Sequence, residues 1–532
     1  MVKSEHLSDS KVRSLVIIFA FSLFLSSVKC QNDDDNERSL STSIAGMEHL
    51  LEIERQLLTS LENYANALEA KVTVIRSAFA AMRAENLKSV DDAEQYLSNP
   101  LNSYALIRRM HTDWIHWELF LKNSVGEAEI AMIQKQRAHL PTNTDLDEAS
   151  SAIYRLQSTY DLKPADVAVG LLNGKQYNVS FSARDCFAIG YYLFNQEQVY
   201  YAGFWLYTAL QRYEENDVNA VLEFDKLKIL DLYAATFLKQ YRYSDALVVL
   251  NAAIQYSPIN AKYLRTKSVV ELEMKTSKEI PMKRPGKIAG SYERCCRGEF
   301  DNNLSRLHCR YNTTTHPFLK LAPLKMEELH LDPYMVLYHD VISDTDIAEL
   351  KELARPQLKR ATVYKAVKNR SEAVQSRTSK FSWFGENLSN ATKRINQRIA
   401  DMSGFDLSTS EMLQVMNYGL GGHYDTHYDF FNVSLDSDVV RINGDRISTV
   451  LFYMSDVAQG GATVFPNIQT TVYPRKGTAV MWYNLNSRGE GDYRTLHAAC
   501  PVIVGSKWVT NKWIRERAQL FRRPCNKNEF VK

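Results

Sequence analysis

Apolar and polar positions change their spacing several times along the chain, and each change predicts a different kind of element. From Ser41 to Phe79 apolar residues recur at heptad intervals. With Leu51, Leu58, Ala65, Val72 and Phe79 at one seam position, Glu54, Leu61, Leu68 and Ile75 fall at its partner, and eight of these nine are apolar. The pattern predicts a long helix with a coiled-coil seam; one amphipathic helix packed on its own domain gives the same stripe. Helical patterning continues through Asn99-Pro100 and the region of Trp114, Trp117 and Phe120, and Pro141 to Asp145 reads as a linker.

From about Ala149 to Arg265 the pattern is of paired helices, and it repeats. Gly190, Ala202 and Ala209 recur as Ala234, Ala246 and Ala253 at an offset of 44 residues, with Pro258 closing the second copy. Small residues at helix crossings followed by Pro fit tetratricopeptide-like helix pairs. Tyr191, Tyr192, Tyr200, Tyr201, Phe204, Trp205 and Tyr207 crowd the first copy. They read either as core or as a concave aromatic face suited to extended proline-rich peptides, which lose little entropy on docking.

Ser277 to His316 has little periodicity and reads as a linker. Beyond it, Met335–Tyr338, Leu413–Met416, Val450–Met454, Thr471–Pro474, Thr478–Trp482 and Cys500–Val504 read as strands, and Asp344–Leu358 as a helix. Short strands with regular turn signals predict a double-stranded β-helix, or jelly roll. The expected organisation is multidomain, α plus all-β: a leader at 1–30, helical dimerisation region at 31–145, tetratricopeptide-like peptide-binding region at 146–275, disulfide-pinned linker at 276–330 and β domain at 331–532.

Composition adds the compartment. At 532 residues, 45% apolar, 24% charged and net charge +2, the chain is ordinary globular protein of several domains. No basic stripe with interleaved aromatics speaks for nucleic acid. Lys3, Lys11 and Arg13 precede the apolar run Leu15–Leu25 and the small residues Ser26 to Cys30, the form of a secretory signal peptide cut after Cys30. That run is too short to span a bilayer, and so is every later one. Asn-x-Ser/Thr acceptors at Asn178, Asn303, Asn312, Asn369, Asn387, Asn390 and Asn432 would be surface positions if glycosylated. Six cysteines follow Cys30; spacing suggests the pairs Cys296–Cys309 and Cys500–Cys525, with a buried free thiol as the alternative, and Cys186 and Cys295 read as free thiols.

The chemistry concentrates in Tyr418 to Phe430, which holds His423-Tyr424-Asp425 and His427-Tyr428-Asp429. On an extended strand residues i and i+2 share a face, so either His-x-Asp pair could present an imidazole and a carboxylate to one ion. Two His and one carboxylate with open positions is the facial set of non-haem Fe(II) oxygenases.

These residues sit within a larger pattern. Gly421-Gly422-x-Tyr424-x-x-His427-x-Asp429, Leu451 to Asp456, Gly460 to Pro466, Lys476 to Ala479, Gly489 to Tyr493 and His497 to Pro501 through Lys507-Trp508 together resemble the catalytic domain of the animal collagen prolyl 4-hydroxylase alpha subunit. Asn99 to Trp114, Asp185-Cys186-Phe187 and Tyr292 to Glu299 resemble the same family, so the likeness covers nearly the whole mature chain. It implies His427, Asp429 and His497 as iron ligands, leaves His423 and Asp425 as flanking residues, and implies Lys507 as partner of the far carboxylate of 2-oxoglutarate. It further implies 4-hydroxylation of peptidyl proline with Fe(II), 2-oxoglutarate, O2 and L-ascorbate. Tyr424 and Trp513 resemble positions near the substrate. Protein disulfide isomerase as beta subunit, an alpha2-beta2 tetramer and residence in the endoplasmic reticulum lumen are implied too.

The chain departs from the family in two places. Arg515 stands where the collagen enzymes carry a His near 2-oxoglutarate; an Arg keeps charge but shuttles no proton. In the peptide-binding helices, groove tyrosines of the family become Phe194, Leu232, Ala235 and Leu238, Asp231 is retained, and a groove Arg and Asn become Lys262 and Thr266. These changes leave two alternatives beside the collagen enzyme: the same chemistry on other proline-rich secreted proteins, or a non-catalytic chaperone for proline-rich chains.

Overall fold

The structure, a computed structural model, describes residues 40–276, 289–300, 306–365, 370–373, 376–431 and 438–523. The signal segment, Asn303, Asn369, Asn432 and Cys525 lie outside the described residues. Helices come first. Helix α1 (Ile44–Leu87) starts at Ser43, whose side chain caps the helix by accepting from the Gly46 amide. Its heptad seam faces solvent in the single chain: Leu51, Leu58, Leu61 and Phe79 are each more than half exposed. Short helices at Ala93–Ser98, Pro100–Arg108 and Trp114–Lys122 carry further exposed apolar side chains, including Leu101, Tyr104 and Ile107.

The stretch read as a linker at 141–145 instead opens a helix. Thr142 and Asp145 form a capping box that starts α2 (Asn143–Tyr160), because each side chain satisfies the other's backbone amide. Paired helices follow: α3 (Ala183–Asn195) with α4 (Val199–Gln211), then α5 (Lys226–Lys239) with α6 (Tyr243–Tyr256) and α7 (Ala261–Thr276). The repeated small residues lie where helices cross. Ala202, Ala209, Ala234, Ala246 and Ala253 are buried, and a Cβ added to Gly190 would meet the Leu206 side chain at 2.8 Å. Of the crowded aromatics, Trp205 is core and donates to Gln157 on α2 at 2.9 Å, whereas Phe204 and Tyr207 are exposed.

The β domain begins inside the segment read as linker. Helix α8 (Ser291–Arg297) leads to β1 (Cys309–Asn312), β2 (Leu324–Leu331) and β3 (Tyr334–His339). Helix α9 (Asp344–Ala354), β4 (Lys359–Arg360), β5 (Ser379–Phe384), α10 (Asn390–Ser403), β6 (Leu413–Tyr418) and β7 (Tyr424–His427) come next. The last strands are β8 (Arg446–Tyr453), β9 (Thr463–Phe465), β10 (Thr470–Val472), β11 (Ala479–Tyr483), β12 (His497–Ala499) and β13 (Trp508–Arg515). Nine strands form one sheet in the order β1-β2-β3-β11-β8-β13-β6-β5-β4, and a smaller sheet runs β7-β12-β9-β10, antiparallel at every pairing. Apolar side chains of the large sheet pack against α9 and α10 on one face, through Ile347, Leu350, Ile395 and Ile399, and toward the small sheet on the other, through Met416, Leu451, Phe465 and Val480. This is the helical region followed by a jelly-roll β domain that the sequence pattern predicts.

Two local expectations are overturned. Cys296 is bonded to Cys500, joining α8 to the turn after β12; Cys309 is a free, exposed thiol on the edge strand β1. Pairing follows the packing of α8 onto the small sheet, which spacing along the chain does not encode. Asn312 is buried: its amide donates to Thr315 Oγ1, the Tyr338 hydroxyl and the Met402 carbonyl at 2.9, 3.2 and 3.3 Å, so it is a structural side chain and no surface acceptor. Asn178, Asn387 and Asn390 are exposed, and Cys186 and Cys295 are buried free thiols as read.

Candidate active site

Strands β7 and β12 are antiparallel neighbours, and their register sets His427 directly opposite His497. Asp429 lies two residues beyond the end of β7, in a bend, so the carboxylate reaches the pair from the chain past the strand. His427 Nε2 is 3.8 Å from Asp429 Oδ1 and His497 Nε2 is 3.6 Å from Asp429 Oδ2. One ligand atom from each of the three residues falls within 4.8 Å of the other two. Among the described residues this is the cluster of His, Cys and acidic side chains able to hold a metal ion.

Hydrogen bonds fix which ring atoms face inward. His427 Nδ1 meets the Asp425 carbonyl at 2.8 Å and His497 Nδ1 meets the Thr495 carbonyl at 3.0 Å. A carbonyl only accepts, so each Nδ1 carries the proton and each Nε2 keeps its lone pair for a cation. The Thr449 hydroxyl donates to Asp429 Oδ2 at 2.7 Å and itself accepts from Asn484 at 2.9 Å, which orients the carboxylate. Burial, then His497, pushes the His427 pKa down to about 3. Burial raises Asp429, but His497, His427, Arg446 and the Thr449 hydrogen bond together outweigh it and leave the carboxyl below its ordinary value. His427 is therefore presented as a neutral imidazole and Asp429 as a carboxylate, protonation states a divalent ion requires.

His427, Asp429 and His497 open on a cavity, partly continuous with solvent, that also takes in Arg377, Tyr424, Lys507 and Trp513. Tyr424 stacks on His427 with ring centres 3.6 Å apart. Lys507, just before β13, is 1% exposed, with its ammonium 4.9 Å from the centre of the Tyr418 ring. Burial alone lowers its pKa to about 7; no charge offsets it. Arg377 Nε, Trp482 Nε1, Asn511 Oδ1 and Trp513 Nε1 belong to side chains lining the cavity and lack a hydrogen-bond partner. Three orphaned N–H donors, on Arg377, Trp482 and Trp513, and an uncompensated ammonium in one cavity suit an anionic, oxygen-rich occupant beside a metal.

His423 and Asp425 do not join the cluster. The His423 ring bonds Thr378 Oγ1 at 2.8 Å and Asp425 at 3.2 Å, outside the cavity lining. Arg515 is also absent from the cavity lining: its guanidinium donates to the Gly444 carbonyl at 2.8 Å and pairs with Glu411 at 3.0 Å. Asp231 and Phe194 lie in the helical region, Asp231 bonded to Lys262 at 2.6 Å and Phe194 with the Lys239 ammonium 4.3 Å from its ring centre. Three polar side chains had no sequence signal. Arg446 lies 3.9 Å over the Trp513 ring and is held by both Glu411 oxygens, while Arg377 lies 4.7 Å over Tyr424. Of the three, Arg377 lines the cavity, while Arg446, held by Glu411, reaches it through the Trp513 ring and the Asp429 carbonyl.

Arg515→Met is therefore expected to leave the KM for an anionic substrate of the cavity within about twofold. It should lower stability by roughly 1–3 kcal/mol through loss of a charged hydrogen bond, read by steady-state kinetics and a denaturant titration.

The chain is 37% identical over 514 residues to the prolyl 4-hydroxylase subunit alpha-2 of Gallus gallus, covering 93% of this chain and 96% of that protein. The chain belongs to the prolyl 4-hydroxylase alpha-subunit family. The subunit alpha-1 of Homo sapiens is 36% identical over 514 residues, 92% of this chain and 96% of that one. Residues 43–174 match the prolyl 4-hydroxylase alpha-subunit N-terminal region, and residues 413–515 match the 2OG-Fe(II) oxygenase superfamily. Among solved structures, a viral collagen prolyl hydroxylase from Paramecium bursaria Chlorella virus-1 in complex with 2OG is 24% identical, covering 34% of this chain and 95% of that one, with a TM-score of 0.28. Membership makes this a 2-oxoglutarate- and Fe(II)-dependent dioxygenase, and the His-Asp-His cluster supplies the donor set that such an enzyme needs. No helix among the described residues is long and apolar enough to cross a membrane.

Proposed function

We propose that this chain is the catalytic alpha subunit of a prolyl 4-hydroxylase that hydroxylates C4 of peptidyl proline in procollagen-like secreted chains. The observation that carries the reading is the convergence of His427, Asp429, His497 and Lys507 on one cavity. His427, Asp429 and His497 would hold Fe(II), and Lys507 would hold the far carboxylate of 2-oxoglutarate. Fe(II) held there would supply oxygen activation coupled to decarboxylation of 2-oxoglutarate to succinate and CO2, with L-ascorbate keeping it reduced. Trp482 and Phe465 close over His497, with ring centres 4.9 and 5.5 Å away, and keep water from that side. Tyr424 and Trp513 line the cavity that the proline would enter, and Arg377, whose Nε lacks a hydrogen-bond partner, offers a donor to a peptide carbonyl.

Compartment and assembly belong to the same proposal. Residues 1–30 direct the chain to the endoplasmic reticulum lumen, where exposed Asn178, Asn387 and Asn390 become glycosylated. The solvent-facing seam of α1 pairs two alpha chains, and protein disulfide isomerase completes an alpha2-beta2 tetramer. Residues 146–275 form the tetratricopeptide-like peptide-binding domain. There Tyr200 and Phe204 meet edge to face with ring centres 5.1 Å apart, and Tyr207 lies tilted to Tyr233 at 6.3 Å. Tyr207→Ala is expected to raise the KM for a long proline-rich peptide up to about tenfold, and to leave the KM for a peptide too short to reach from cavity to helices unchanged.

The lost tyrosines of this face favour a second reading, the same oxygenase acting on other proline-rich secreted proteins. Leu232, Ala235 and Leu238 offer no ring or hydroxyl, and Phe194, a ring without a hydroxyl, is covered by the Lys239 ammonium. Co-expression with protein disulfide isomerase, followed by succinate release with Pro-Pro-Gly repeats and with a library of secreted proline-rich peptides, separates the two. Turnover on the repeats supports the collagen enzyme, and turnover on the library alone supports the second reading. Binding of both without turnover, unchanged by His497→Ala, overturns both in favour of a chaperone.

A further inference from the structure

The cosubstrate lysine is anchored from an unexpected direction. Residues Ser41, Thr42 and Ser43, immediately before α1, are 8%, 1% and 0% exposed, unusual burial for three consecutive hydroxyl side chains at the head of a long helix. They lie against the end of β6. The Leu420 amide donates to the Ser41 carbonyl at 2.9 Å, and a Cβ on Gly419 would stand 1.9 Å from that same oxygen, so only glycine admits the approach. The Ser43 hydroxyl donates to Asn417 Oδ1 at 2.7 Å, and the Ala45 amide donates to the same oxygen at 3.1 Å.

The other end of the Asn417 amide faces Lys507. Asn417 Nδ2 donates to the Ser506 hydroxyl and to the Lys507 carbonyl, each at 3.3 Å, and the Tyr418 amide adds a bond to that carbonyl at 3.1 Å. Ser455 closes the turn from the other side, donating to the Ser506 carbonyl at 2.7 Å and accepting from the Trp508 amide at 2.8 Å. One fully buried amide thus bonds the N-cap of a 44-residue helix to the main chain of the cosubstrate lysine. The same segment is tied to α2, where the Leu40 amide donates to Asp145 at 2.9 Å and Ser41 to Glu148 at 3.2 Å.

We propose that Ser43 and Asn417 are a positioning pair through which the N-terminal helix sets the Lys507 backbone, and so the affinity for 2-oxoglutarate. The inference rests on Lys507 as the 2-oxoglutarate ligand. Its physical content is that the Lys507 side chain has little room to re-aim. It is fully buried with no charge holding its ammonium, so its direction comes from its own backbone, and three groups hold that backbone.

The cap and the anchor can be separated. Glycine at an N-cap costs helix stability only slightly but cannot donate to Asn417 Oδ1. In the full chain assembled with its partner subunit, Ser43→Gly is expected to raise the Kd and KM for 2-oxoglutarate about threefold to tenfold. The kcat at saturating 2-oxoglutarate and the KM for peptide should stay at wild-type values. Ser43→Thr, which keeps the hydroxyl, restores affinity, and Ser150→Ala, a buried serine bonded only within its own helix, leaves it unchanged. Amide exchange at Tyr418 and Trp508 should quicken in Ser43→Gly, a readout independent of turnover. Unchanged exchange and unchanged 2-oxoglutarate affinity overturn the proposal. So does a parallel loss of kcat and peptide KM, which would mark a general loss of structure. Wild-type chain that binds no 2-oxoglutarate would overturn the assignment of Lys507, while faster exchange in Ser43→Gly would still establish the coupling.

Discussion

Asp429→Ala is expected to remove metal binding and turnover together, with succinate release falling by more than about a hundredfold. Side chains that merely orient a ligand typically alter metal affinity or activity 10- to 100-fold, so loss of a ligand must exceed that. Asp429 is the anion of the set and stands between two imidazoles, 3.8 Å from one and 3.6 Å from the other. Without it, two neutral rings in a buried site have no charge to offset that of Fe(II). Thr449→Val should fall between: the carboxylate stays and loses one orienting hydrogen bond, for roughly a tenfold loss of affinity. Anaerobic titration with Fe(II), with bound metal counted alongside succinate release, checks both. Full metal content with no activity in Asp429→Ala would overturn the ligand assignment.

How much of this was legible in the sequence differs by residue. His-x-Asp on a short strand is a local pattern, and the second His and the lysine follow from likeness to a family, so the cavity's chemistry could be read before its shape. The geometry refines one point: Asp429 stands past the end of β7, so strand alternation is not what brings it beside His427. Arg377, Glu411 and Arg446 could not be found that way, because residues from separate strands meet only when a nine-stranded order is fixed. Asn312 and Cys296 show the same limit from the other side. A sequon is three residues of local grammar, and burial beneath Tyr338 and Met402 overrides it. A disulfide spanning 204 residues follows from which surfaces pack, and the nearer cysteine has no priority. The helical repeat was legible because small residues at crossings are demanded locally, at each crossing separately.

Lys507→Met is expected to have two opposite effects, and their opposition is what makes the lysine diagnostic. Toward 2-oxoglutarate, losing one partner of a buried charge pair costs about 3–5 kcal/mol, so the Kd should rise by roughly a hundredfold or more. Toward stability, the ligand-free chain should gain at pH 6, because an unpaired buried ammonium is replaced by an apolar chain of similar length. The same cost gives the pH dependence its sign. Burial holds the free Lys507 pKa at about 7, well below that of an unfolded lysine, so between those values the folded chain binds fewer protons than the unfolded one. Its penalty on the ligand-free fold is therefore full below pH 7 and is relieved as pH rises above it. Binding runs the other way: the dianion needs the ammonium, so above pH 7 each binding event takes up a proton. The apparent Kd should be level below about 7 and rise toward tenfold per pH unit above it. Calorimetry in two buffers of different ionisation enthalpy reads that proton directly; no uptake at pH 8 would mean that Lys507 is already charged in the free chain, held by a counter-charge the cavity does not provide.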